Sequence, residues 1–339
     1  MLPKVAISAG DPAGVGPELA LRALTEPHVL AACHPIVFAD LSVLTEVSGH
    51  LNRPLPACPT LSLNDWEQRA STLNQPAIVD LRKLAAGTVA PGKVTADTGA
   101  AAYSYIVAAT HAALKHQVAG IVTAPIHKEA FHAAGVAHPG HTELLAELTN
   151  CHRYCMMLTS REISCSLVTC HIGLRDVAEQ LNTAKILEVI RLTDEAMRKR
   201  HRRPARLAVL ALNPHAGEGG LFGNQEEERI IVPAVNMARN DGIEVAGPLA
   251  PDTAFVPSRR EATDAYVCMY HDQGLIPLKA LAFDTAINVT LGLPILRSSV
   301  DHGTALDIAW QGVAKATSLY FAIEWVAQHS AEGRHPAEI

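Results

Sequence analysis

The chain reads as an α/β protein, a mostly parallel sheet with helices on its faces. Three observations predict it. Short runs rich in Val, Ile and Leu recur along the chain, and longer stretches of helical period alternate with them. The length of 339 residues exceeds what one simple core needs and suits two lobes.

The apolar runs place strands at residues 5–9, 35–38, 77–80, 120–123, 164–169, 206–212 and 265–270. A helix is expected over 98–117, with Asp97 or Thr98 capping its start, and another over 183–200. The second ends in Arg198-Lys-Arg200, a basic run that complements the helix dipole and reads as a solvated helix end. Residues 52–75 are rich in Pro, Ser and Asn and are expected to form a loop-heavy excursion. No repeat, low-complexity tract or Gly/Ser linker interrupts the chain.

Apolar residues make up 48% and charged residues 18%, a globular composition. The net charge of −6 argues against nucleic acid or an anionic membrane as the main partner. No apolar run reaches the roughly 18 residues of a membrane span, and the N-terminus lacks a signal-peptide pattern. Seven scattered cysteines, an odd number, fit reduced thiols and a cytoplasmic location.

The chemistry concentrates at strand ends. The run from Cys165 ends on His171 and breaks at Gly173. Leu207 to Asn213 leads through Pro214 to His215, and Ala265 to Tyr270 leads to His271. In an open parallel sheet, ligands bind beyond the C-terminal strand ends, so three such histidines point to one divalent ion. Taken singly, any of the 17 histidines is a surface or hydrogen-bonding residue; the threefold coincidence carries the reading. Cys151-His152-x-x-Cys155 is the competing metal candidate, but it lacks a second pair at ribbon spacing and reads as structural.

Gly10-Asp-Pro-Ala-Gly14-Val-Gly16 follows the first strand and is either a tight turn or an anion-binding loop, since it matches neither the Rossmann nor the P-loop spacing. Pro139-Gly140-His141-Thr142-Glu143 opens a helix, where free N–H groups suit an oxyanion. Lys279, Asn288 and Arg297 follow His271 at intervals of about nine residues. They are candidate anion ligands that by spacing alone are surface residues. Ser299-Val-Asp-His302-Gly303-Thr304-Ala305-Leu-Asp307 is either a cofactor turn or a packing turn.

Together, the Gly10–Glu18 run, Gly140-His-Thr-Glu143, Asn213-Pro-His-Ala-Gly-Glu-Gly-Gly220, Tyr270-His-Asp-Gln-Gly274 and the Ser299–Ala305 run resemble the 4-hydroxythreonine-4-phosphate dehydrogenase family of the pyridoxine pathway, over about residues 4–325. The resemblance implies a two-lobed isocitrate/isopropylmalate dehydrogenase-like fold with a cleft between lobes. Residues 1–125 with 286–339 would form the cofactor lobe, and 126–285 the metal, substrate and dimerisation lobe. It implies a homodimer with the active site at the subunit interface. His171, His215 and His271 would bind zinc, magnesium or cobalt. His141, Thr142, Lys279, Asn288 and Arg297 would bind substrate. His302, Gly303, Thr304, Ala305 and Asp307 would hold NAD or NADP, and Asp252 and Asp272 would orient ligands or relay a proton.

The activity so implied is oxidation of 4-phosphooxy-L-threonine at C3, followed by decarboxylation to 3-amino-2-oxopropyl phosphate. Rival readings are a sister dehydrogenase of 4-phospho-threonate or erythronate and, from another class, a three-histidine zinc hydrolase. Two departures bear on these. Trp310 stands where pyridoxine-pathway enzymes usually have Gly, and residues 281–287 lack a Gly often found before the Asn288-Val-Thr-Leu-Gly292 run.

Overall fold

The computed structural model describes residues 2–138 and 140–330; Pro139 and the tail 331–339 assigned to the cofactor lobe lie outside the described residues. The strands are β1 (Lys4–Ser8), β2 (His34–Ala39), β3 (Thr60–Ser62), β4 (Ala77–Asp80), β5 (Gly120–Thr123), β6 (Cys155–Thr159), β7 (Ser164–Leu167), β8 (Leu207–Leu210), β9 (Val245–Leu249), β10 (Ala265–Cys268), β11 (Ile287–Leu291) and β12 (Leu296–Val300). They divide between two compact units, residues 1–152 with 293–339 and residues 153–292.

In the first unit the strands run in the order β3-β4-β2-β1-β5-β12, every pairing parallel. β1 is central and nearly fully buried, as its unbroken Val-Ala-Ile run requires of a strand covered on both faces. The helix Ala96–Leu114 buries Ala101, Ala102, Tyr105, Ile106, Ala109, Ala112 and Ala113. Its cap is Thr95, whose hydroxyl accepts from Thr98 N while Thr98 Oγ1 accepts from Thr95 N. The expected cap at Asp97 or Thr98 is therefore corrected by one turn. Thr98 is the reciprocal partner of a capping box, which its own identity does not reveal.

The boundary between units also moves. Residues 126–152, expected in the second lobe, belong to the first unit. Gly99 shows why: a Cβ there would lie 2.2 Å from Ala130 O, so the helix Ala96–Leu114 rests directly on the backbone of the helix Lys128–Ala133. Nor is 52–75 merely loop. It holds β3 and the helix Leu63–Arg69, started by a Ser62/Asp65 capping box. Trp66 of that helix is buried, edge-on to Phe38 at 5.8 Å, and its Nε1 donates to Gln117 Oε1 at 3.0 Å.

The second unit has the order β11-β6-β7-β10-β8-β9. β7, β10, β8 and β9 pair in parallel, whereas β6 is antiparallel to both β11 and β7. The expected strands for this region end two residues early, because the chain turns before the histidines. The helix Thr183–His201 is capped by Asn182, whose Oδ1 accepts from Lys185 N at 2.9 Å. Its basic end is only partly solvated. Arg198 and Lys199 pair with Asp194 and Glu195 one turn back, but Arg200 turns inward and donates to Thr159 Oγ1 at 3.2 Å. Among the described residues no helix is long and apolar enough to cross a membrane.

Gly99→Val is expected to lower stability by about 1–3 kcal/mol through overpacking against Ala130. Equilibrium urea unfolding measures it, and an unchanged midpoint would contradict the close helix contact.

Candidate active site

β7, β10 and β8 are neighbours, so His171, His271 and His215 follow the C-terminal ends of three adjacent parallel strands. The first two strand ends are tied together. Val168 N donates to Cys268 O at 2.9 Å, and both Thr169 N and Thr169 Oγ1 donate to Met269 O, at 3.2 and 2.7 Å. The third is tied by Gln273, whose Oε1 accepts from Met269 N and whose Nε2 donates to Ala211 O, both at 2.7 Å. The sequence reading passed over Gln273 as a site-building residue. Its signal was its place in the first turn of a helix that begins on a strand-end histidine.

The His171 and His271 rings stand 5.6 Å apart between centroids, tilted by 47°. Two imidazoles bound to one tetrahedral ion place their ring centres about 5–6 Å apart. His271 Nδ1 lies 2.7 Å from Asp272 Oδ1, and His215 Nδ1 lies 3.1 Å from Glu218 Oε2. A carboxylate only accepts, so it holds the proton on Nδ1 and leaves Nε2 as the ligating atom. In donor type, spacing and tautomer these residues fit a divalent cation. Convergence is incomplete, however: among the described residues no three His, Cys, Asp or Glu side chains stand close enough to hold an ion. His171 and His271 come together, whereas His215 is exposed and faces Glu218 and the edge of Phe222 at 6.1 Å.

The reason lies in its backbone. From His215 to Gly220 six consecutive residues have positive φ, between 45° and 90°. His215, Ala216 and Glu218 are not glycines, and each costs about 1–2 kcal/mol in this left-handed region. Such strain persists only where surrounding contacts impose it. Of the competing Cys151/Cys155 pair, Cys155 is buried in β6, and burial pushes its thiol up.

The other members of this unit are placed as follows. Asp272 is exposed beside His271, and Asp252 is exposed on the short helix Pro251–Ala254. Lys279 lies on the helix His271–Ala282, its Nζ 5.8 Å from the Phe283 ring centre. Asn288 sits on β11 with Oδ1 buried and no hydrogen-bond partner.

The first unit holds the anion-type residues. Arg297 on β12 is only 2% exposed and donates from Nη2 to Thr123 Oγ1 at 3.0 Å. Burial pulls its pKa down to about 10 against the attraction of Glu143, so it stays charged near neutral pH. His141 opens the helix His141–Leu148, with Thr142 beside it, and its Nε2 is buried without a partner. Burial first, then the charge of Arg297, holds the His141 ring neutral, well below the usual range. A neutral imidazole and a guanidinium beside a helix N-terminus suit a carboxylate or phosphate.

The two glycine-containing runs of this unit meet. Val15 N donates to Thr304 O at 3.0 Å, joining the Gly10–Gly16 loop to the His302–Asp307 run. His302 and Gly303 are exposed, Thr304 is buried, Ala305 adopts φ 43° and Asp307 is exposed. Trp310 has φ 61°, a genuine outlier for so large a side chain. Its indole is 3% exposed, donates to Pro12 O at 3.1 Å and packs edge-on to His50 at 5.2 Å. The ring is thus buried against the first glycine loop.

Two outcomes are expected. The unfolded chain protonates His141 below about pH 6.5 and the folded chain does not, so acidification costs stability up to about 1.4 kcal/mol per pH unit. His141→Asn should flatten the loss between pH 6.5 and 5.5 by about 1 kcal/mol in urea titrations; equal slopes would refute the buried neutral ring. Trp310→Gly relieves the backbone but loses the ring and its bond, for a net loss of about 2–4 kcal/mol by the same measurement.

Comparison with known proteins matches the chain to one family. The model of "Pyridoxal phosphate biosynthetic protein PdxA" matches residues 31–326. The 4-hydroxythreonine-4-phosphate dehydrogenase of Geobacter metallireducens is 45% identical over 96% of this chain and 95% of its own length. The D-threonate 4-phosphate dehydrogenase of Salmonella typhimurium is 42% identical over 96% of this chain and 98% of its own. The crystal structure of 4-hydroxythreonine-4-phosphate dehydrogenase from Klebsiella pneumoniae is 41% identical and superposes with a TM-score of 0.87 over 98% of this chain and 99% of that one. This chain belongs to the family of pyridoxal phosphate biosynthetic protein PdxA, and it is a dehydrogenase.

Proposed function

We propose that the chain oxidises 4-phosphooxy-L-threonine at C3 with NAD or NADP, the β-keto acid then losing CO₂ to give 3-amino-2-oxopropyl phosphate. The observation that carries this reading is the pairing of His171 with His271 at ligand spacing, each strand end fixed by hydrogen bonds, in a chain 45% identical to an enzyme named for that substrate. The zinc hydrolase is not favoured, since the matched relatives are dehydrogenases. The 4-phospho-threonate reading, to which Trp310 points by family pattern, stands as the rival; the relative of that name is 42% identical, against 45% for the one named for 4-hydroxythreonine 4-phosphate.

A bound divalent cation would supply Lewis acidity at the C3 hydroxyl, and a bound nicotinamide would accept the hydride. His171, His271 and His215 are the proposed ligands of zinc, magnesium or cobalt. Asp272 keeps the His271 proton on Nδ1, and Glu218 does the same for His215. Arg297 and Lys279 take the anionic groups of the substrate, His141 and Thr142 fix one of them, and the Asn288 amide orients a hydroxyl or amine. Asp252 remains a candidate proton relay. His302, Gly303, Thr304, Ala305 and Asp307 form the proposed adenosine turn, braced by the Val15–Thr304 bond.

A homodimer with the active site at the subunit interface is part of this proposal, supported by exposed Leu174, Ile276 and Phe283 on the histidine-bearing unit. A cytoplasmic location is supported by the unbridged thiols of Cys33, Cys58, Cys155, Cys165 and Cys268.

The test is a turnover assay of 4-phosphooxy-L-threonine against 4-phospho-threonate, with NAD⁺ and NADP⁺ and added divalent ions, read by reduced-nicotinamide absorbance. Faster reduction with the first substrate is expected. Preference for the second would reassign the substrate, and no reduced cofactor with either would overturn the reading. His271→Ala should lose turnover by more than the roughly 10–100-fold that outer-shell changes cost. Near-parental activity in that variant would remove His271 from the metal site.

A further inference from the structure

The sharpest feature outside the named ligands is the carboxylate beneath the left-handed turn. Glu227 is 2% exposed and begins the π-helical turn Glu227–Ile231, an irregularity that recurs at functional sites. Its Oε1 accepts from Leu212 N at 2.9 Å and from Asn213 N at 2.8 Å. The Asn213 amide Nδ2 donates to Glu227 Oε2 at 3.0 Å and also to Glu226 Oε2 at 2.9 Å. Glu226 in turn accepts from Asn224 N at 2.7 Å. At the middle of the turn, Gly217 has φ 78°, and a Cβ there would meet Glu227 Oε2 at 2.7 Å. One buried carboxylate thus touches the entry of the turn at Leu212 and Asn213 and its centre at Gly217. His215 lies between those two points.

We propose that Glu227 is a positioning residue for His215. It holds the backbone on both sides of His215, at Leu212 and Asn213 and at Gly217, so that the left-handed turn beginning at His215 presents the imidazole for metal binding. The inference rests on the reading of His215 as a metal ligand. Physically, the clamp answers two needs. Past the end of β8 the N–H groups of Leu212 and Asn213 have left the strand ladder, and a carboxylate offers both strong acceptors. Three non-glycine residues at positive φ would relax to the right-handed region unless something over-determines them. Glu227 supplies that constraint at the base of the turn, while the imidazole and Glu218 remain outside it, exposed.

The full chain, stripped of metal with a chelator, is titrated with Co²⁺ by calorimetry and by the visible absorption of the bound ion. His215→Ala, Glu227→Gln and the double variant are compared, with circular dichroism to check folding. Glu227→Gln keeps an acceptor for Leu212 and Asn213 but sets an NH₂ against Asn213 Nδ2. It should weaken Co²⁺ about 10–100-fold and alter the absorption. The double variant should bind no more weakly than His215→Ala alone, because both changes remove one ligand. Unchanged Co²⁺ affinity in Glu227→Gln, or additive losses in the double variant, would overturn the proposal. If His215→Ala itself leaves Co²⁺ affinity unchanged, the ligand reading fails instead, and the two failures are distinct. Should Glu227→Gln not fold, Gly217→Ala drives a methyl onto the same carboxylate and answers the same comparison.

Discussion

A parallel strand that stops leaves its next backbone N–H and C=O groups without ladder partners, and a buried unpaired group costs about 1–3 kcal/mol. The histidine-bearing unit meets this constraint with three side chains, one at each strand end. Thr169 beyond β7 donates to Met269 O, Gln273 serves Met269 N and Ala211 O, and Glu227 takes Leu212 N and Asn213 N. The backbone groups so satisfied, at Met269 and at Ala211–Asn213, lie just before His271 and His215 in the chain. Satisfying the backbone and aiming the imidazoles are therefore one structural solution. Where ladder and loop are most regular, at β7 and β10, the rings are already paired. Where the chain must reverse its handedness, at His215–Gly220, the histidine stands apart and a buried acid holds the turn.

The other unit concentrates a different cost. A guanidinium as inaccessible as that of Arg297 loses solvation that Thr123 and Glu143 only partly restore, and the ring beside it is kept neutral. Were His141 protonated, two like charges would share a buried site. A neutral imidazole instead leaves Arg297 as the dominant local charge, so an incoming anion meets one fixed cation and one adaptable hydrogen-bonding ring. In the proposed reading of Arg297 and His141, electrostatics of this kind lets a chain with net charge −6 accommodate an anionic substrate: the attraction is local and buried, not spread over the surface.

Much of this was legible in the sequence, for identifiable reasons. Strands such as 77–80 and 120–123 are short apolar runs bounded by turn residues, and they sit where the pattern put them. β6, reading Cys-Met-Met-Leu-Thr, was missed because Met and Leu favour helices and only its antiparallel pairing with β7 and β11 makes it a strand. The three strand-end histidines were visible from their shared pattern of apolar run, imidazole and glycine. Their supports were not. Glu227 is a polar residue in a helical turn, and nothing local marks it as buried; only the folded chain brings it to Leu212 and Asn213, and Gln273 to Ala211. The inward turn of Arg200 was hidden in the same way, by a basic run whose other members do face solvent.

Trp310 shows how a departure from a family pattern is resolved by backbone geometry. A position that favours glycine in related enzymes is, in this chain, a residue at φ 61°. A tryptophan there bears strain that glycine would not, and the compensation is visible: the ring is buried, its Nε1 is satisfied by Pro12 O, and its edge meets His50. The anchor reaches the loop Gly10–Gly16, which is also held through Val15 N and Thr304 O. Two hydrogen bonds from opposite ends of the 302–310 run therefore fix one loop against the other. A glycine would make the same backbone turn with only the Thr304 bond remaining. The substitution thus trades backbone ease for rigidity in the proposed cofactor turn.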